Sequence, residues 1–169
     1  MAAASMSEVQ QPEPEEQNGD YESGLVMIGV QHWRIRTARV TPVKPGAFVA
    51  VWSRDPLGET RPFDTDDRTD GLLVFVVDGE RFGLFRFTAP YLERLGITRS
   101  ASQPGKRGFR VYPEWSTGLN PQAKRTQREQ AEAFIDLEPD RTHGDAHTLG
   151  SLRLMCVRLY LGARAGCAG

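Results

Sequence analysis

The chain has 169 residues, with 21 Lys and Arg against 22 Asp and Glu and a net charge of −1. That is the length of one domain with one substantial core. No apolar run approaches the ~20 residues of a membrane span, and no charged-then-apolar leader opens the chain, so a cytoplasmic protein with no membrane partner is expected.

Net charge hides a regional asymmetry. Met1–Ser23 carries six acids and no Lys or Arg, whereas Thr98–Arg128 carries seven cations against one acid, Glu114. The basic stretch points to a polyanionic partner. The two cysteines, Cys156 and Cys167, make no C-x-x-C, and Gly144 separates His143 from His147, so neither a metal nor a cofactor is expected.

In chain order, residues 1–23 are small, acidic and Pro-containing, and read as a disordered arm. The domain begins at Gly24 and runs to Leu137. "GLVMIGV" is a short apolar strand, and "HWRIRTARVTPV" alternates as a half-buried one. After the turn residues Pro42, Pro45 and Gly46, "GAFVAVW" reads as a strand covered on both sides. A polar connection leads to "GLLVFVV", the most apolar stretch and so a central strand. "DGE" (Asp78–Glu80) then turns the chain into "RFGLFRF".

Thr88, Pro90 and Gly96 frame a short helix, and "GFRVYP" is a further strand. Asn120 and Pro121 start a long helix over "NPQAKRTQREQAEAFIDL". The expected class is therefore α+β, a mostly antiparallel sheet with a short helix and a long C-terminal helix packed on it. Residues 138–169 form an atypical tail to which no domain is assigned.

The stretch "GKRGFRVYPEW" carries the functional expectation. Strand alternation sends Phe109 and Val111 to the core and leaves Lys106, Gly108, Arg110 and Tyr112 on a basic, aromatic face. Lys124, Gln127 and Arg128 lie together on the following helix. Cations neutralise phosphates, aromatics stack on bases and amides reach base edges. Lys106, Arg107, Arg110, Tyr112, Trp115, Lys124, Gln127 and Arg128 are therefore the expected nucleic-acid contacts, with DNA favoured over RNA.

"RTARVTPVKPGAFVAVWSRD", "DGLLVFVV", "RFGLFRF", "GKRGFRVYPEW" and "NPQAKRTQREQ", in that order and spacing, resemble the MepB-like proteins, a bacterial family named for a gene beside a multidrug-efflux pump. The resemblance implies a single domain similar to the PD-(D/E)xK nuclease-like fold, with nucleic-acid binding suspected and no enzymatic activity established. It also implies a helix ahead of the first strand that this sequence does not show, leaving apolar surface near Gly24–Val30 uncovered.

Nuclease sites of that kind hold Mg²⁺ with an acid at the start of one strand and an acid-x-lysine on the next. Asp70 fits the first requirement. Leu84 has no ligand atom, and Arg86 stays charged where a lysine would act through a shiftable proton. Asp70, Leu84 and Arg86 would thus be a degenerate site, with no catalytic residue, in a non-catalytic nucleic-acid-binding protein. The alternatives are a Mg-dependent nuclease centred on Asp70, or a protein-interaction or regulatory module associated with drug efflux whose acidic arm folds over the basic face.

Overall fold

The structure is a computed structural model that describes residue 10, residues 13–15 and residues 23–137. Its elements in chain order are β1 (Glu13–Pro14), β2 (Gly24–Ile28), β3 (Gln31–Val40), β4 (Ala47–Ala50), β5 (Trp52–Arg54), β6 (Thr60–Pro62), β7 (Gly71–Asp78), β8 (Arg81–Thr88), α1 (Ala89–Arg94), β9 (Gly108–Val111), α2 (Pro121–Gln130), a 3-10 turn (Ala131–Ala133) and β10 (Phe134–Asp136). Eight strands make one sheet in the order β1-β2-β3-β7-β8-β10, with β4 on β3 and β9 on β4; β5 and β6 form a separate hairpin.

The long strand β3 is the pivot. Its first half pairs antiparallel with β2, residues 33–38 pair parallel with β7, and Arg39 and Val40 pair antiparallel with β4. A strand has two edges, so β2 and β4 follow one another along the edge that β7 does not use. The sheet curls there, and β4 and β9 pack over one of its faces.

Side-chain alternation divides the apolar residues between two cores. Trp33 and Ile35 of β3 join Val26, Leu73, Phe75, Leu84 and Leu137 on one face. The opposite face is the larger core, with Leu72, Val74 and Val76 of β7, Phe85 and Phe87 of β8, Val49 and Val51, Phe109 and Val111, and Leu92 of α1. The β7 register makes this division unavoidable, since Leu73 faces Arg86 and Phe75 faces Leu84 across to β8. β7 is buried on both sides from Gly71 to Val76, as its unbroken apolar run predicts. The β7–β8 hairpin turns through Gly79 at φ 60°, the left-handed conformation that glycine favours.

The expected α+β arrangement is overturned. The domain is chiefly sheet, and that sheet is mixed, because β3 and β7 run parallel. The long C-terminal helix is also not what forms. α2 starts where predicted, with the Asn120 side chain accepting from the Ala123 N–H at 2.8 Å and Pro121 in the first turn, but it stops at Gln130. After the 3-10 turn, Phe134, Ile135 and Asp136 extend as β10 and pair with Phe85, Leu84 and Gly83 of β8. The open edge of β8 offers this segment a ladder and two cores, which outweighs the helical periodicity of its sequence.

Residues 13–15 belong to the stretch expected as a disordered arm, yet Glu13 and Pro14 pair with Leu25 and Gly24 of β2. Of the segment expected to be left uncovered, Val26 is buried and Val30 is exposed. The tail, with His143, His147, Cys156 and Cys167, lies outside the described residues.

Candidate functional site

The strand β9 runs antiparallel to β4, with Gly108 opposite Ala50 and Arg110 opposite Phe48. Phe109 and Val111 are buried, as alternation predicts, and Lys106 and Arg107 are exposed. Arg110 is half-buried. Its Nη1 donates to Pro45 O at 3.2 Å and Gly46 O at 3.4 Å, and its Nη2 donates to Thr41 Oγ1 at 2.8 Å, so it clamps the turn before β4. The Tyr112 ring lies so close to Gly46 that a Cβ there would stand 2.6 Å from it.

Trp115 meets Phe134 edge-on at 5.3 Å, donates from Nε1 to Asp78 Oδ2 at 3.3 Å and carries the Arg81 guanidinium 5.7 Å over its ring. Gln127 Nε2 donates to Pro113 O at 2.8 Å and Ser116 O at 3.4 Å. Lys124 and Arg128 are exposed on α2. Of the eight expected contacts, Lys106, Arg107, Lys124 and Arg128 present charge outward. Arg110 and Tyr112 meet the turn before β4, Trp115 docks on β10 and the β7–β8 hairpin, and Gln127 ties α2 to the segment that precedes it.

Asp70, Leu84 and Arg86 each have a structural partner. Asp70 Oδ2 accepts from the His32 N–H at 2.7 Å, and its backbone joins His32 O and the Ala89 N–H, so it ties β3 to the start of α1. Leu84 is fully buried in the smaller core. Arg86 lies on that same face, 4.6 Å over the Trp33 ring.

A concave surface lies elsewhere among the described residues. A cleft of ≈ 400 Å³ opens beside the β5–β6 hairpin, and four arginines (Arg34, Arg54, Arg61, Arg68), three aspartates (Asp64, Asp66, Asp67) and the ring of Phe63 line it. Alternation on β3 supplies the cleft's deepest cation. Where Trp33 and Ile35 go to the smaller core, Arg34 and Arg36 go to the other face, opposite Leu72 and Val74 of β7.

Arg34 stacks its guanidinium 3.9 Å from the centre of the Phe63 ring, a favourable cation–π geometry. Its Nη2 pairs with Asp67 Oδ2 at 2.5 Å and its Nη1 with Glu15 Oε1. Arg36 is entirely buried; its Nη1 donates to Glu15 Oε2 at 2.5 Å and to Ile35 O at 2.7 Å, and its Nε to Ala50 O at 3.3 Å. Burial pushes the Arg36 guanidinium below its ordinary pKa, while Glu15 acts to raise it. Asp64 holds Arg99 with two hydrogen bonds, at 2.6 and 3.1 Å, which raise the Arg99 pKa and fix the guanidinium at the rim.

The basic stretch and the cleft are neighbours. Arg107 Nε donates to Thr60 O at 3.0 Å, next to Arg61, and the Arg99 N–H donates to Phe63 O at 2.7 Å. The sequence reading missed Glu15, Arg34, Arg36 and Phe63. The available signal was Arg-Ile-Arg inside an alternating strand, which must place two cations on one face.

The family model for MepB-like proteins matches residues 15–136. The chain belongs to the MepB-like family. The crystal structure of MepB matches it with a TM-score of 0.76 at 33% identity, covering 80% of this chain and 90% of that chain. A search of curated proteins finds none that matches. The MepB-like segment contains Glu15, both buried-side arginines of β3, the cleft and the basic stretch.

Proposed function

We propose that this MepB-like chain is a non-catalytic nucleic-acid-binding protein, and that its phosphate-contacting surface runs from Lys106 and Arg107 along the β5–β6 hairpin into the arginine-lined cleft. The observation that carries the reading is the hydrogen bond from Arg107 Nε to Thr60 O, which sets the most basic stretch of the chain alongside Arg61 at the cleft rim. Arg54, Arg61, Arg68, Lys106 and Arg107 make a track of cations. Arg54 lies 5.2 Å over the Trp52 ring, a cation beside an aromatic surface of the kind that single strands stack on.

The cleft aspartates are consistent with this role. Asp64 and Asp67 fix Arg99 and Arg34 in single orientations, so less side-chain entropy is lost on binding. Phosphodiester chemistry has little support at the expected positions, because Leu84 is core and offers no ligand atom beside Asp70.

Fluorescence anisotropy with a labelled DNA strand at two salt concentrations tests the reading. Affinity should fall steeply with salt, and Arg107→Ala and Arg61→Ala should each flatten the logarithmic slope by about 0.7–0.9. Lys124→Ala should leave the slope unchanged. Absent or salt-independent binding rejects the proposal.

A further inference from the structure

Burying a cation costs free energy unless its donors are met, so the two arginines of β3 pose a question that packing does not answer. Glu15 bridges them, giving one carboxylate oxygen to Arg34 Nη1 and the other to Arg36 Nη1. The match is incomplete. Arg36 Nη2 and Arg34 Nε are buried with no hydrogen-bond acceptor among the described residues, and so is Arg61 Nε nearby. Each Glu15 oxygen meets one guanidinium and leaves these other donors unmet, whereas a phosphoryl group brings three or four oxygens in a tetrahedral array that forked guanidinium donors suit.

Glu15 is carried by an edge strand. β1 has two residues, and among the described residues the arm also makes the Glu15 N–H to Ser23 O bond at 3.2 Å, Ser23 Oγ to Glu15 O at 3.3 Å and the Gln10 N–H to Met27 O at 3.2 Å. A two-residue edge strand is among the segments that open most readily.

We infer that the Arg34–Arg36 pair is a binding site for a phosphate-type oxyanion, which Glu15 occupies as a built-in competitor and vacates when the ligand enters. The site shares Arg34 with the nucleic-acid cleft, but it does not depend on nucleic acid being the ligand. A tethered carboxylate competes at an effective concentration on the order of millimolar, so the native chain should bind a single phosphate weakly and a Glu15 variant more tightly.

The experiment follows thermal unfolding of the native chain, Glu15→Gln and Glu15→Gln/Arg36→Met as inorganic phosphate replaces chloride at constant ionic strength. Glu15→Gln should melt lower in chloride, and phosphate should raise its midpoint with half-saturation at least tenfold below that of the native chain. The double variant should not respond. Equal responses in the native chain and Glu15→Gln, or none in either, would make Glu15 a structural counter-ion only and overturn the inference.

A second measurement needs no variant. In the native chain phosphate should speed hydrogen exchange at the Glu15 amide and leave the β7 amides protected; unchanged exchange at Glu15 also overturns the inference. Anisotropy with 5′-phosphorylated and unphosphorylated DNA strands separates the two readings. A phosphate response without DNA binding leaves the anion site standing and removes the nucleic-acid reading. DNA binding of equal strength in the native chain and Glu15→Gln, without a phosphate response, does the reverse.

Discussion

Gln130 shows how one side chain can complete a sheet. It is 2% exposed, its Nε2 donates to Arg110 O at 2.9 Å, and its Oε1 accepts from the Tyr112 N–H at 3.0 Å. It therefore behaves as one more rung on the free edge of β9, satisfying two part-buried backbone groups. Gln130→Leu should lower stability by about 1–3 kcal/mol, because it removes two hydrogen bonds from half-buried backbone groups; urea unfolding monitored by tryptophan fluorescence checks it. Gln127→Ala, at a half-buried position, should cost about 1 kcal/mol. The partners of these two glutamines lie many residues away, and no local pattern encodes that pairing. The alternation of Arg34 and Arg36 was legible, but their pairing with a carboxylate was hidden for the same reason. Their counter-ion, Glu15, comes from a segment whose composition carries no structural period.

At the scale of elements, local chemistry was legible and long-range pairing was not. The Asn120 cap, Pro121, the Asp78–Glu80 turn and the alternation of Phe109 and Val111 all follow from rules acting over a few residues, and all appear in the structure. The end of α2 depends instead on β8, whose open edge captures Phe134–Asp136 as β10. Gly83 makes that capture possible. A Cβ at this position would stand 2.6 Å from the Phe134 ring and 2.9 Å from the Trp115 ring. Gly83→Ala should therefore cost about 1–3 kcal/mol by overpacking, read from the shift in urea midpoint. A loss below 0.5 kcal/mol would mean that β10 is not held against β8 by these rings.

At the scale of the whole molecule, the curled sheet separates two kinds of surface. One face of β3 feeds the smaller core through Trp33 and Ile35. The other begins as core at Ala38 and becomes the arginine cleft toward Arg34. A site that grows directly out of the core has rigid walls, which suits recognition by preset donors. The parallel contact between β3 and β7 also has a consequence in time. It cannot form until residues 41–70, including the β5–β6 hairpin, have been looped out, and β4 must then find β9 from still farther along the chain. Such pairings carry their loop-closure cost before any contact repays it, so the barrier is entropic and late. Stopped-flow refolding should fall in the millisecond-to-second range typical of non-local β topologies rather than the microseconds of helical bundles. The strand that shapes the cleft is thus also the one that makes the chain wait, and nascent chains expose the apolar β7 run until that wait ends.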